Sequence, residues 1–163
     1  RDGDRLGFPV FPLEWHDPKT GEKSSGYREN GYFAESFVNM LAMLGWNPGT
    51  PQEIFSMEEL IEAFSLDRVG KAGAKFDPNK TKWFNQQYLR AYSDAELGEM
   101  IEPIAKEKGY NVSHEYLAEV SRLMKERASF LPEIVENGAY LFEAPKEYDE
   151  KTTRKKWKED TPQ

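Results

Sequence analysis

Apolar residues recur at three- and four-residue spacing along most of the chain, and each such stretch is bracketed by a start or stop signal. That pattern predicts helices rather than strands. Phe33, Phe37, Met40, Leu41 and Leu44 form one stripe, ended by Gly45. Ser56-Met57-Glu58-Glu59 opens a second helix as a capping box, in which serine and glutamate each satisfy an orphan backbone N–H; Leu60, Ile61 and Phe64 supply its apolar face. Asp77-Pro78 is a third entrance, an N-cap acceptor followed by a residue that needs no N–H there, and this helix runs to about Tyr88 or Leu89. A second capping box, Ser93-Asp94-Ala95-Glu96, leads into Leu97, Met100, Ile101 and Ile104, with Gly109 as the stop. From about Ser113 a further helix buries Leu117, Val120, Leu123 and Met124, and Pro132 restarts a short one, Ile134-Val135-Glu136, closed by Asn137-Gly138. The fold class is therefore all-α. Residues 1–30 differ: they are rich in Gly, Pro and charge, with a short apolar run Phe8 to Leu13 and a turn signal at Asp17-Pro18-Lys19-Thr20-Gly21, and they read as a loop or loose hairpin.

Charge divides the helical part sharply. Between Gln52 and Asp67 five acids meet no base, for a local charge of -5. Between Arg68 and Arg90, six basic residues (Arg68, Lys71, Lys75, Lys80, Lys82, Arg90) face only Asp77, for a local charge of +5 in a chain of net charge -7. The chain as a whole repels a polyanion, but this window attracts one. The loop Gly70 to Lys75 lets backbone N–H groups approach a phosphate closely, without the strand and Gly-Lys-Ser/Thr ending of a nucleotide-binding loop. Trp83 and Phe84 are adjacent and must point to different sides of their helix. Trp83 either packs between helical modules or touches RNA. The run Lys151 to Lys158 holds five bases and Trp157, and reads as an RNA-backbone contact or an ordinary exposed terminus.

Other chemistry is sparse. The chain has no cysteine and two histidines, His16 and His114, far apart in sequence, so a thiol nucleophile or a histidine-based metal site is not expected. No serine sits in a Gly-X-Ser-X-Gly elbow, and with 29 carboxylates, pairs such as Glu58 with Glu62 arise without purpose. No catalytic residue is assigned, and the chain reads as a binding module. No run approaches the roughly 20 apolar residues that span a bilayer, and Arg1-Asp2-Gly3-Asp4 is no signal peptide, so a cytoplasmic location with no membrane partner is expected. A chain of 163 residues that starts at Arg1 is expected to be a piece of something longer, with room for two small helical modules.

The run Phe76 to Asn85, preceded by Phe64-Ser65-Leu66-Asp67-Arg68-Val69, closely resembles the segment that follows the catalytic core in bacterial glutamyl-tRNA synthetases. Phe76, Asp77, Lys80, Trp83, Asn85, Tyr88 and Arg90 match that family's pattern position by position. Gly31 to Trp46 is similar to the helix after the family's lysine-rich catalytic loop, and Glu53-Ile54-Phe55-Ser56 with Glu59 resembles the next helix start, so the likeness covers roughly residues 31–142. On this alignment Arg1 would end the Lys-Leu-Ser-Lys-Arg type of signature, and residues 5–30 are longer than the family's usual connection.

The resemblance implies a C-terminal fragment lacking the catalytic core: residues 1–30 an irregular insertion, 31–90 a helical connecting domain that contacts the tRNA stem, and 91–163 the first of two helical anticodon-binding domains. It implies that the parent is a glutamate–tRNA ligase using ATP and Mg2+, while this fragment alone holds neither and is inactive. The implied partner is tRNA(Glu), bound by a monomer, with no DNA. Carried over by position, the tRNA-binding residues are Arg68, Lys71, Lys80, Lys82, Trp83, Arg90 and Arg127, with Arg127 aligned to an arginine that reads an anticodon base. An arginine fork can hydrogen-bond a base edge twice or stack on it. The alternative for Arg127 is a surface arginine that neutralises Glu126 or a helix end. Rival readings of the whole are a glutaminyl-tRNA synthetase, whose sequence would turn to β-barrel after the connecting domain, a class I lysyl-tRNA synthetase, or a non-enzymatic helical protein-interaction module.

Overall fold

The computed structural model describes residues 8–71 and 73–144, so Arg1 and the basic run Lys151 to Lys158 lie outside the described residues. The elements in chain order are β1 (Trp15–His16), β2 (Lys23–Ser24), α1 (Ala34–Met43), α2 (Met57–Ala63), α3 (Pro78–Ala91), α4 (Asp94–Glu107), α5 (His114–Met124), α6 (Leu131–Asn137) and α7 (Ala139–Phe142). Two 3-10 turns, Leu66–Arg68 and Lys125–Arg127, carry two of the candidate arginines.

Helices α2, α3, α4 and α5 start where the polar signals lie. Asp77 stays extended and its carboxylate accepts the Asn79 N–H at 2.9 Å, with Pro78 in the first turn of α3. Both capping boxes form, Ser56 with Glu59 at α2 and Ser93 with Glu96 at α4. The hydrogen bonds from the Ser93 hydroxyl and backbone N–H hold the Glu96 carboxyl below the usual carboxylate range. At the other end of α4, Gly109 takes φ +87°, the left-handed turn that ends a helix without Cβ strain.

The N-terminal loose hairpin is real but short. β1 and β2 pair antiparallel, Trp15 opposite Ser24 and His16 opposite Lys23. Asp17 builds the turn, its carboxylate accepting the Lys19 N–H at 2.7 Å and the Thr20 N–H at 3.2 Å. Aromatic pairs tie this segment to the helices: Tyr27 lies 4.3 Å from Phe37 of α1, and Phe8 lies 5.2 Å from Phe76 just ahead of α3.

Two cores result. A small one unites Trp46, Phe55 and Leu60. A larger one unites Leu89 at the end of α3 with Leu97, Ile101 and Ala105 of α4, Leu117, Val120 and Met124 of α5, and Ile134 and Val135 of α6. Helix α3 belongs to both halves, packing on α1 through its first turns and ending in the larger core.

Three leucine or isoleucine positions assigned to buried stripes are in fact exposed: Leu41 at 48%, Ile61 at 73% and Leu123 at 49%. The reason is angular. Residues turn by about 100° per position, and in α1 the inward line runs through Ser36, Asn39 and Met40, which leaves Leu41 on the far side. In α5 it runs through Leu117, Val120, Ser121 and Met124, which leaves Leu123 off it. Buried polar residues occupy the places that an apolar stripe would predict for leucine.

Three asparagine and tyrosine side chains then join the halves. Asn85 of α3, fully buried, accepts the Phe33 N–H at 2.8 Å and donates to the Ser129 carbonyl at 2.7 Å and to the Gly31 carbonyl at 3.4 Å. Asn39, also fully buried, accepts the Phe55 N–H at 2.9 Å. The Tyr88 hydroxyl lies against both Asn39 Oδ1 and the Phe55 carbonyl. Burial, with the Glu35 charge second, pushes the Tyr88 hydroxyl up to about 12, so it stays a proton donor at neutral pH.

Candidate nucleic-acid interface

Lys82, Gln86 and Arg90 follow one another at four-residue spacing and therefore share one face of α3. Residues 125–130 run antiparallel along that face. The Lys82 ammonium sits 5.2 Å from the centre of the Phe130 ring, Gln86 donates to the Ala128 carbonyl at 3.5 Å, and Arg90 Nη2 donates to the Glu126 carbonyl at 2.9 Å. Asn85 adds its bond to the Ser129 carbonyl from the adjoining face. Below Arg90, Lys125 lies 2.7 Å from Asp94 Oδ1 and donates to the Tyr92 carbonyl at 3.4 Å. The strap that carries Arg127 is thus fastened to α3 along its length.

The fold brings Lys82, Arg90 and Arg127 to this one seam. Their charges are not equally free. Arg90 Nε is 3.0 Å from Glu126 Oε2, a Coulombic contact that lacks hydrogen-bond alignment, so Arg90 is committed to Glu126 through both its charge and its Nη2 donor. Arg127 is exposed, and among the described residues it has no ion-pair partner. The neighbouring Glu126 is neutralised by Arg90 rather than by Arg127. Lys82 is likewise exposed and without an acidic partner among the described residues.

The other candidates lie elsewhere. Lys80 forms an ion pair with Glu53, 27 residues earlier, joining the basic window to the acidic one. Arg68 turns back on its own half, donating to the Pro48 carbonyl, and its guanidinium lies 3.4 Å from where a Cβ on Gly49 would stand. Lys71 is exposed in the segment that follows the Gly70 N–H bond to the Gly45 carbonyl at 2.7 Å. Trp83 packs edge-on against buried Phe84 at 5.2 Å and keeps 37% of its surface exposed. Beside Lys82 a cleft of about 350 Å³ opens between Phe8, Tyr32, Asn79 and Phe130.

Sequence reasoning missed Gln86, and missed that Glu126 pairs with Arg90 and Asp94 with Lys125, contacts that fix the strap. The signal was present for one of them: an acid wedged between Lys125 and Arg127 calls for a separate cationic partner. The described residues hold no group of three or more His, Asp or Glu side chains that could ligate a cation. Among them no helix is long and apolar enough to cross a membrane.

Comparison with known proteins assigns these features to a family. Residues 87–163 match the family model described as an anticodon binding domain, and residues 17–83 match that of the class I tRNA synthetases for E and Q, catalytic domain. The chain is 56% identical over 161 residues to a glutamate–tRNA ligase of Parabacteroides distasonis, and 56% identical over 163 residues to one of Phocaeicola vulgatus. These alignments cover 99% and 100% of the chain but 32% of each relative, so the chain spans about a third of the length of these relatives. A crystal structure of a glutamate tRNA ligase from Elizabethkingia meningosepticum in complex with its amino acid superposes with a TM-score of 0.91 at 48% identity, covering 98% of this chain and 32% of that one. A second, from Elizabethkingia anophelis, gives 0.89 at 49% identity over 95% of this chain and 31% of that one. With two family models matched in series and relatives above 50% identical across its whole length, the chain belongs to the glutamate–tRNA ligase family of class I aminoacyl-tRNA synthetases, as a partial segment of such an enzyme.

Proposed function

We propose that this segment is the tRNA-positioning part of a cytoplasmic glutamate–tRNA ligase, which in full length joins glutamate to tRNA(Glu) with ATP, one tRNA to one chain. Residues 31–90 act as the connecting domain against the tRNA stem, and residues 91–163 as the first helical anticodon-binding domain; on its own the segment does not catalyse the reaction. The observation that carries this reading is the seam along α3, where Lys82 and Arg127 are exposed and without an acidic partner among the described residues, on a strap and helix fastened together. Exposed cations fix the register of an RNA backbone, and a single well-placed arginine adds base discrimination. The helical fold of residues 31–90 supports a positioning role there although the matched family model is described as catalytic.

The test is binding of unmodified tRNA(Glu) to the full-length protein across a salt series, with Lys80→Ala/Lys82→Ala alongside. Each phosphate contact contributes about 0.7–0.9 to the slope of log K against log salt. The expected result is steep salt dependence, with a slope that falls by about one in the double variant because Lys82 is lost outright while Lys80 is partly held by Glu53. A salt-insensitive affinity would favour a protein-interaction surface instead.

A further inference from the structure

Resting on the reading of Arg127 as a base-contacting residue, we propose that Arg90 is a positioning residue that frees and aims Arg127 by holding Glu126, rather than a contact to RNA.

The geometry sets the two arginines apart. The Glu126 carbonyl receives Arg90 Nη2 and the Ala128 carbonyl receives Gln86, so the backbone is pinned immediately before and immediately after Arg127. Between these two fastenings the Arg127 side chain is exposed. The Arg90 side chain is only 33% exposed, and its guanidinium is spent on Glu126 through the Nη2 bond and the close Nε contact. The Glu126 carboxylate, 65% exposed, is the nearest acid in sequence to Arg127 and would capture a flexible guanidinium if Arg90 did not already occupy it. Lys125, Asp94 and the Tyr92 carbonyl hold the other end of the same turn. Arg90 therefore acts twice: it neutralises the competing acid, and it fixes the backbone from which Arg127 projects. Ordering a residue before it binds removes that cost from the binding step.

The experiment is a double-mutant cycle in the full-length protein, with Arg90→Gln, Arg127→Ala and the pair, reading affinity for unmodified tRNA(Glu) across salt. The proposal predicts that Arg90→Gln weakens binding by about tenfold, an order of magnitude typical of lost preorganisation at one contact. It also predicts an unchanged salt slope, and little further loss when Arg90→Gln is added to Arg127→Ala. Adding Glu126→Gln to Arg90→Gln should restore part of the affinity, since the acid that traps Arg127 is gone. The proposal is overturned if Arg90→Gln lowers the slope by about one and costs the same factor in both backgrounds, which would make Arg90 a phosphate contact. It is also overturned if the loss is equal in both backgrounds at constant slope, the outcome for a purely structural role. If Arg127→Ala itself leaves binding unchanged while Lys80→Ala/Lys82→Ala weakens it, the base-contact reading of Arg127 fails and takes the positioning role with it.

Discussion

Replacing Asn85 by alanine is expected to lower the unfolding free energy by roughly 2–4 kcal/mol, the range for losing a buried, multiply bonded polar side chain. The side chain has no exposed surface and serves both halves of the molecule at once. Its removal strands the Phe33 N–H, which opens α1, and the Ser129 carbonyl, which belongs to the strap. Both bonds are part-buried, so each stranded group carries part of its desolvation cost. A chemical denaturation midpoint measured on wild type and Asn85→Ala checks this, and a loss below about 1 kcal/mol would show that the junction is not held by this residue. The consequence reaches function, because Ser129 is two residues from Arg127. A variant that remains folded should bind tRNA with less discrimination.

Gly98→Ala is expected to destabilise by about 1–3 kcal/mol, against the local preference of the helix. Alanine is the better helix former by about 1 kcal/mol, and in an exposed helix the change would stabilise. Here a Cβ would stand 2.9 Å from the Ala118 nitrogen, 3.2 Å from its Cα and 3.3 Å from the Leu117 carbonyl carbon. These are backbone atoms of α5 and cannot swing aside like the end of a side chain. Helices α4 and α5 pack more extensively than any other pair and form most of the larger core, so pushing them apart loosens Leu97, Ile101, Leu117 and Val120 together. A thermal scan of Gly98→Ala checks the sign: a raised midpoint would mean that the helices approach less closely than described.

What the sequence reveals is local chemistry. Asp77-Pro78, Ser56 with Glu59, and Ser93 with Glu96 mark helix starts because the cap and the groups it satisfies lie within a few residues. The division of Trp83 from Phe84 follows from the helical turn alone, and the structure puts Phe84 inside and leaves Trp83 partly out. What escapes the sequence is polar burial and long-range pairing. Nothing in the sequence marks Asn39, Asn85 and Ser121 as buried, because a buried amide or hydroxyl is stable only with partners that tertiary structure brings, and for Asn85 these lie 44 to 54 residues away. The same blindness explains why Leu41, Ile61 and Leu123 read as core. In the basic window, charge counting could not show that Lys80 is engaged by Glu53 and Arg90 by Glu126, 36 residues distant. Counting cations overstates those left unengaged: Lys80 and Arg90 are paired, whereas Lys82 and Arg127 are exposed and have no acidic partner among the described residues.

The most direct test of the central claim is a competition at fixed salt between tRNA(Glu) and the same tRNA with a replaced anticodon, for the full-length protein and for Arg127→Ala. The account predicts a clear preference of wild type for the native anticodon, about tenfold to a hundredfold for one arginine hydrogen-bonding a base, and near-equal binding of the two tRNAs by Arg127→Ala with backbone affinity retained. An identical preference in both proteins would contradict it, and would mean that the strap along α3 holds the tRNA without reading it.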